Sequence, residues 1–195
     1  MKRTKNPAKE AEYRKRAADL VAQMPLHEKV SQMLSWAPAI ERLGIPAYNW
    51  WSEGIHGVGR AGTATVFPQA IGMAAAFDEN MMEQVGNAVG VEARGKYNMC
   101  RAHGDRDIFK GLTVWAPNIN IFRDPRWGRG HETYGEDPFL TSRLGVRFVE
   151  GMQGNDPDYL QAAACAKHFA GYSETQGGRD ASEADLSHRK LESWF

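Results

Sequence analysis

Residues 111–138 read GLTVWAPNINIFRDPRWGRGHETYGEDP, an apolar run that leads into a loop dense in charged and aromatic side chains. The apolar run and the alternation after it predict a buried strand over residues 112–122, which Asp124-Pro125 ends. Barrel enzymes of the α/β class place their sites at such strand ends. The loop combines planar donors, carboxylate acceptors and a flat apolar ring, which suits a neutral polyhydroxylated ligand. Its members are Arg123, Arg126, Arg129, Trp127, Glu132, Glu136 and Asp137.

The rest of the chain alternates between amphipathic helices and apolar strands. Residues 8–24 and 81–94 have helical spacing, and residues 162–169 form a second apolar strand. Asp137-Pro138 joins an N-cap to a proline at the first helical position, so we predict that another helix begins there. The side chains expected to face inward are Tyr13, Ala17, Leu20, Val21 and Met24 in the first helix, Met82, Val85 and Val89 in the second, and Leu140, Leu144, Phe148 and Met152 in the third. Asp78 is the expected N-cap of the second helix, Gly95 its expected end, and Gly151 or Gly154 the expected end of the third.

This order predicts an α/β fold in which helices connect parallel strands. A complete (β/α)8 barrel needs about 250 residues, whereas this chain has 195. We therefore expect an incomplete (β/α)8, TIM-like barrel, of which the chain is the N-terminal portion. Residues 1–18 are expected to form a charged helical extension, and residues 19–195 to form the barrel part.

Composition argues against several classes of function. Lys and Arg together number 24, as do Asp and Glu, so no general attraction to nucleic acid or to a membrane surface is expected. No apolar run approaches the roughly 20 residues that span a bilayer. The charged N-terminus lacks the apolar core of a secretory signal, from which we expect a cytoplasmic protein. Two cysteines are too few for a disulfide framework, and the histidines lack metal-ligand spacing, so neither a metal nor a cofactor is predicted.

Three blocks of the sequence together resemble glycoside hydrolase family 3, the family of β-glucosidases and β-xylosidases. They are residues 42–57 (RLGIPAYNWWSEGIHG), continued at residues 65–77 (TVFPQAIGMAAAF), residues 116–137 (APNINIFRDPRWGRGHETYGED) and residues 164–173 (ACAKHFAGYS). The blocks occur in the family's order, and the resemblance covers most of the chain from residue 19 onward.

The resemblance implies that five residues bind sugar. Glu53 matches an Asp or Glu that binds hydroxyls in the subsite of the cleaved sugar, and Arg129 matches an arginine that binds the same sugar. Lys167 and His168 match a Lys-His pair that holds further hydroxyls. Arg179 lies where many members have another sugar-contacting arginine, although the loop here carries an extra residue. The implied ligand is a β-linked oligosaccharide or aryl glycoside.

Three of the five assignments have a structural alternative, because ion pairs and satisfied core side chains often serve structure alone. The alternatives are a Glu53–Arg60 pair, an Arg129 pair with Glu132 or Glu136, and a core position for His168. Arg126 is a rival to Arg129, and Trp50, Trp51 and Trp127 are secondary candidates for the wall of a sugar site.

The chemistry of a retaining glycosidase needs a carboxylate nucleophile and a second carboxyl group as acid and base. Family 3 members carry the nucleophile as an Asp in a Ser-Asp motif on a later barrel strand, and many take the acid/base from a following domain. The 195 residues contain no Ser-Asp pair. We therefore expect no catalytic residue here, a missing C-terminal part of the same protein, and no activity from this fragment alone.

The resemblance implies that the parent protein hydrolyses terminal, non-reducing β-D-xylosyl or β-D-glucosyl residues with retention. Glu53 stands where glucosidases more often carry Asp, and the longer side chain would crowd the C6 hydroxymethyl group of a hexose. This favours xylose. An N-acetylhexosaminidase is disfavoured, because the short His-containing loop of that branch is not seen. A non-catalytic carbohydrate-binding domain is the alternative from another class.

Two geometric expectations follow. The side chains of Glu53, Arg129, Lys167 and His168 should line one cavity on one edge of the strands, since they must converge on a single sugar ring. Family 3 barrels also tend to carry a non-proline cis peptide near the Lys-His pair, and we expect one near Lys167-His168.

Overall fold

The computed structural model describes residues 6–172 and 184–194, which form helices and short strands of an α/β fold. The helices are α1 (Pro7–Ala22), α2 (Leu26–Ser31), α3 (Ala70–Ala74), α4 (Glu79–Ala102), α5 (Pro138–Gln153) and α6 (His188–Trp194). The strands are β1 (Trp36–Ala37), β2 (Tyr48–Asn49), β3 (Thr113–Val114) and β4 (Ala163–Ala164), and short 3-10 helices span Glu41–Leu43 and Gly130–Glu132.

Parallel pairing connects three segments that are distant in sequence. β3 pairs with β4 in parallel, with Val114 opposite Ala164. Ser52 forms a parallel bridge to Val114 on the other side, and Asn118 forms one to Lys167 farther along. The α/β class is therefore confirmed, and these three segments are parallel as expected, whereas β1 and β2 pair antiparallel. The described residues supply three parallel segments where a full barrel has eight.

The strands are shorter than the sequence indicated. The predicted strand over residues 112–122 is regular only at Thr113–Val114, and the one over residues 162–169 only at Ala163–Ala164. Pro117 explains much of the difference, because proline lacks the N–H that a continuous ladder needs. Pairing resumes beyond it: Lys167 donates its N–H to the carbonyl of Pro117 at 3.0 Å, and Ile119 donates to the carbonyl of Lys167 at 2.8 Å.

The main core lies between α4 and α5 and includes residues of both predicted inward faces. Asp78 caps α4 by accepting the N–H groups of Asn80 and Met81, and Asp137 caps α5 by accepting that of Phe139. The residues that meet between the two helices are buried, namely Met82, Val85, Val89, Leu144, Phe148 and Met152. α5 ends at Gly154, as expected, whereas α4 runs through Gly95 to Ala102, so the predicted end at Gly95 was wrong.

The first helix does not bury the face that the sequence indicated. No residue of α1 is buried, and Tyr13 and Val21 are 42% and 47% exposed. Of the predicted stripe only Met24 is buried, and it lies beyond the end of α1. α1 continues through residue 18 without a break, so the division there stays a prediction. None of the helices in the described ranges is long and apolar enough to cross a membrane.

Glycines allow α4 and α5 to touch through their backbones. A Cβ atom added at Gly86 would lie 2.3 Å from the carbonyl oxygen of Phe148, and one at Gly151 would lie 2.0 Å from that of Glu83. Such distances are far below van der Waals contact, so a side chain at either position would push the helices apart.

We expect Gly86→Ala to destabilise the protein by about 1–3 kcal/mol through overpacking. Gly95→Ala is the matched control in the same helix, because an added Cβ there meets nothing within 4 Å. That substitution should stabilise the protein by about 0.4–1 kcal/mol, since glycine costs more backbone entropy than alanine. The thermal unfolding midpoint of the protein should fall for Gly86→Ala and rise for Gly95→Ala. Equal shifts in the two variants would contradict the close contact at Gly86.

Candidate sugar-binding site

The parallel segments bring three sequence-predicted residues to one edge. Ser52, Val114 and Ala164 lie side by side in register, so the residues that follow each of them leave the strands at the same end. Glu53 follows the first segment, and Lys167 and His168 follow the third. The Nζ atom of Lys167 lies 3.5 Å from Oε2 of Glu53. The expectation that these strand ends open on one side is confirmed.

Glu53 is held by an aromatic cluster rather than by Arg60. The indole Nε1 of Trp51 donates a hydrogen bond to Oε1 of Glu53 at 2.8 Å. Trp51 is itself stacked on Trp115, with ring centroids 4.7 Å apart and planes 15° apart, and it meets Phe109 edge-on. The guanidinium of Arg60 lies over the Phe109 ring. Both oxygens of Glu53 therefore have a defined partner, and its remaining lone pairs can accept hydroxyl hydrogen bonds.

Arg129 is a partly buried cation that is hydrogen-bonded to two neighbouring side chains. Its Nε donates to Oε1 of Glu132 at 2.6 Å, and its Nη2 donates to the other oxygen. Nη1 donates to the hydroxyl of Tyr172 at 3.0 Å. The side chain is 17% exposed, whereas that of Arg126 is 78% exposed and pairs with Asp124. The loop thus separates the two rival arginines: Arg126 faces solvent, and Arg129 faces the interior.

The ion pair stays charged despite its burial. The hydrogen bond to Glu132 holds the pKa of Arg129 above its ordinary value, although burial acts in the opposite direction. Burial alone would raise the pKa of Glu132, but the hydrogen bond and charge of Arg129, with the charge of Lys167, hold it below its ordinary value. The pairing of Arg129 with Glu132 that we considered as a structural alternative therefore exists, and it leaves two of the five N–H groups of Arg129 for a ligand.

His168 is oriented by a buried asparagine. Oδ1 of Asn120 lies 3.1 Å from the backbone nitrogen of His168 and 2.7 Å from its Nδ1. The imidazole packs against the Tyr172 ring, with centroids 4.3 Å apart. The peptide bond between Lys167 and His168 is cis, as the resemblance implied. A cavity of about 200 Å³ adjoins both residues, lined also by Asn120, Arg123 and Phe169.

The expectation that Glu53, Arg129, Lys167 and His168 line one cavity is met only for Lys167 and His168. The 200 Å³ cavity includes Lys167 and His168, while Glu53 joins the group through Lys167 and Arg129 through Glu132 and Tyr172. Trp127 is part of the core, 9% exposed and packed edge-on against Tyr172. Arg179, the fifth predicted residue, lies outside the described residues. In the part of the chain that is described, no group of three or more His, Cys, Asp or Glu side chains could hold a metal ion.

Sequence reasoning missed the residues that orient the ligand-facing side chains. Asn118 and Asn120 are 1% and 9% exposed. Their alternation with Ile119 and Ile121 predicts a strand but does not by itself name the partners of the two amides. Two amides on the inward side of an apolar strand were a signal, because buried polar groups require partners. Of the two partners considered for Arg129, Glu132 forms the pair.

Comparison with known proteins identifies the family. The model of the glycosyl hydrolase family 3 N-terminal domain matches residues 19–195. The chain therefore belongs to glycosyl hydrolase family 3, within the region that forms the N-terminal domain of its members. The resemblance drawn from the three sequence blocks is confirmed.

The similar proteins are β-xylosidases and β-glucosidases. The chain is 49% identical to probable beta-D-xylosidase 7 of Arabidopsis thaliana, over 81% of this chain and 22% of that protein. It is 47% identical to xylan 1,4-beta-xylosidase of Xylanibacter ruminicola, over 90% of this chain and 21% of that protein. The chain thus spans about a fifth of the length of the curated relatives it matches.

Solved structures support the same family. The exo-beta-xylosidase XlnD, solved with a xylobiose aziridine probe, matches with a TM-score of 0.72 and 40% identity over 81% of this chain and 21% of that one. The β-glucosidase DesR of Streptomyces venezuelae, solved with D-glucose, matches with a TM-score of 0.62 and 32% identity over 80% of this chain and 19% of that one.

We expect Glu132→Gln to destabilise the protein by about 1–3 kcal/mol at pH 7, because it leaves the partly buried Arg129 cation without its counter-charge. The pKa of Glu132 is depressed in the folded state, so the stabilisation is complete above the ordinary value of 4.5 and is lost as pH falls through the lower folded value.

The thermal midpoints of wild type and variant should therefore converge below pH 4.5. Asp19→Asn is the control, because it removes an exposed pair with Lys15 in α1 and should leave the midpoint unchanged. A difference for Glu132→Gln that is independent of pH would contradict the role of its charge.

Proposed function

We propose that this chain supplies the sugar-binding half of the active site of a retaining β-glycosidase, in a barrel that the described residues form only in part. The single observation that carries the proposal is the cluster at the strand ends, where a carboxylate, a lysine, a partly buried arginine and a histidine are connected by contacts. The whole protein would hydrolyse terminal, non-reducing β-D-xylosyl or β-D-glucosyl residues.

The cluster has the chemistry that a single pyranose needs. Glu53 offers acceptors for two hydroxyl hydrogens, while Lys167 and Arg129 offer charge-assisted donors. These contacts lie at the carboxyl ends of parallel segments, where barrel enzymes bind substrate. Hydrogen bonds from fixed donors to hydroxyl groups can strengthen as the ring flattens toward an oxocarbenium ion, so the same groups would contribute to catalysis as well as to affinity.

The covalent step would require residues outside this sequence. Retention proceeds by attack of a carboxylate on the anomeric carbon and later release of the sugar by water, with a second carboxyl group donating and then accepting the proton. Glu53 is engaged by Trp51 and Lys167, which favours a binding role for it. The family resemblance also assigns sugar binding to Arg179, which lies outside the described residues.

Xylose is the favoured sugar of the two. Glu53 carries one methylene more than the Asp that glucosidases often use, and Trp51 and Lys167 restrict its movement. A fixed carboxylate close to C5 would leave little room for a hydroxymethyl group. The similar proteins named as xylosidases are in keeping with this preference.

The proposal is tested by assaying the full-length protein on an aryl β-xyloside. Arg129→Ala and Lys167→Ala should each lower kcat/KM by about 100-fold, as expected for the loss of a charged hydrogen bond of roughly 2–3 kcal/mol. Arg126→Ala is the matched control from the same loop, since its side chain faces solvent, and it should leave kcat/KM unchanged. Equal effects of Arg126→Ala and Arg129→Ala would contradict the site.

Assays of the isolated 195-residue chain, beside those of the full-length protein, distinguish a glycosidase from a non-catalytic carbohydrate-binding domain. It should show no turnover. Turnover by this chain that disappears in Glu53→Gln would instead make Glu53 a catalytic carboxylate. Binding of xylo-oligosaccharide by a full-length protein that turns over neither glycoside would support the alternative, a non-catalytic carbohydrate-binding domain.

We expect Glu53→Asp in the full-length protein to shift preference from xyloside toward glucoside. Shortening the side chain by one methylene opens space near C5, and one methylene in a pocket changes discrimination by about 10-fold or more. The measurement is the ratio of kcat/KM for the aryl β-xyloside to that for the matching β-glucoside. A ratio that is unchanged, with both rates reduced equally, would mean that Glu53 does not set the choice of sugar.

A further inference from the structure

Six residues behind the proposed sugar site form a closed ring of contacts through their side chains and one backbone N–H group. Beginning at the arginine, Arg129 donates to Glu132, which accepts from Nδ2 of Asn118 at 3.4 Å. Oδ1 of Asn118 accepts the N–H of Asn120 at 3.0 Å, and Asn120 contacts His168. His168 packs on Tyr172, whose hydroxyl accepts from Arg129 and closes the ring. The ring joins three chain segments: residues 118–120, residues 129–132 and residues 168–172.

We propose that this ring is a positioning device that fixes Arg129 and His168 relative to each other, with Asn120, Glu132 and Tyr172 as positioning residues. The inference rests on the proposed function, because it concerns how that sugar site is held. None of the three would need to touch the sugar. Each acts through the ligand-facing side chain that it contacts.

The orientation of both amides is determined by backbone donors. A backbone N–H can only donate, so the atom of Asn120 that faces the N–H of His168 must be the oxygen. By the same reasoning the oxygen of Asn118 faces the N–H of Asn120, and its NH₂ group faces Glu132. Neither amide can turn over without placing two donors against each other, so the polar side of the ring has one arrangement.

Asn120 also determines where His168 carries a proton. Its oxygen lies 2.7 Å from Nδ1, and two acceptors at that distance would repel. Nδ1 therefore bears the hydrogen whether the imidazole is neutral or charged. Together with the bond to the backbone nitrogen, this contact fixes the rotation of the ring and the direction of its other nitrogen. Orientation of a histidine by a neighbouring amide or carboxylate is a general way to set its tautomer.

Arg129 is fixed from the opposite side. Glu132 engages Nε and Nη2 in a fork, and Tyr172 engages Nη1, so the guanidinium plane has no freedom to rotate. Because Tyr172 also packs on His168, a shift of one ligand-facing side chain is transmitted to the other. Burial strengthens this linkage, since the amide groups have little competing water.

The test uses double-mutant cycles in the full-length protein, with kcat and KM measured on an aryl β-xyloside. Asn120→Ala should lower kcat/KM by about 10-fold or more, as for a lost hydrogen bond to a ligand-facing group. Asn120→Asp keeps the accepting oxygen and should stay within about threefold of wild type. In the His168→Ala background, Asn120→Ala should have no further effect, because it acts through His168.

Tyr172→Phe supplies an independent cycle on the other side of the ring. It keeps the face that packs on His168 and removes only the acceptor for Arg129, so it should lower kcat/KM severalfold in wild type and not at all in Arg129→Ala. Thr141→Val is the control for loss of a buried polar atom, because its Oγ1 has no hydrogen-bond partner among the described residues and lies on α5, away from the ring. It should leave kcat/KM unchanged.

The outcomes distinguish the ring from the site itself. If Arg129→Ala and His168→Ala do not lower kcat/KM, the proposed sugar site is wrong. Suppose instead that Arg129→Ala and His168→Ala lower kcat/KM. If Asn120→Ala and Tyr172→Phe then lower kcat/KM by the same factor in those backgrounds as in wild type, the ring does not act through Arg129 and His168, and the inference is overturned. If Asn120→Ala fails to fold, as judged by circular dichroism, Asn120→Asp and the Tyr172 cycle decide. A loss with Asn120→Asp as large as that with His168→Ala would also overturn it.

Discussion

The parallel pairing of residues 113–119 with residues 163–167 is the constraint on which the rest of the site depends. Parallel neighbours end at the same edge, so polar residues placed after each segment must meet there. Glu53 reaches the same edge through the bridge between Ser52 and Val114, although more than 100 residues separate it from Lys167 in sequence. Without this pairing the carboxylate and the lysine would have no reason to approach each other, and the loop that carries Arg129 would begin elsewhere.

Elements that are determined locally could be predicted well from the sequence. Asp78 and Asp137 cap α4 and α5 as expected, because a cap depends only on the three or four residues that follow it. The faces of these helices were also correct, since the two helices cover each other. The face of α1 was wrong for the opposite reason: helical spacing identifies an apolar stripe, but another segment must be present to cover it, and none of the described segments buries it.

The sequence indicated which side chains lie in the site, but it did not indicate which neighbours they bind. The family resemblance selected Arg129 over Arg126, and the structure separates the two by burial. The sequence offered no way to see that Glu132, rather than Glu136, would form the fork, because that depends on the turn at Gly130–Glu132. The alternating pattern of residues 118–121 predicts a strand, and it does not show what the two buried asparagines bind. Buried amides need donors and acceptors, and here other segments supply them.

The glycine contacts between α4 and α5 have a consequence for the arginine loop that lies before α5. Because the backbone at Gly86 touches Phe148, and that at Gly151 touches Glu83, neither helix can slide by one residue along the other. The first residue of α5, Pro138, follows the loop directly, so the end of the loop is as immobile as the helix pair. Its other end is anchored where Ile119 bonds to Lys167. Both ends of the loop that carries Arg129 are therefore fixed. A substitution that shifts α4 against α5 would displace Arg129 even though it makes no contact with that residue.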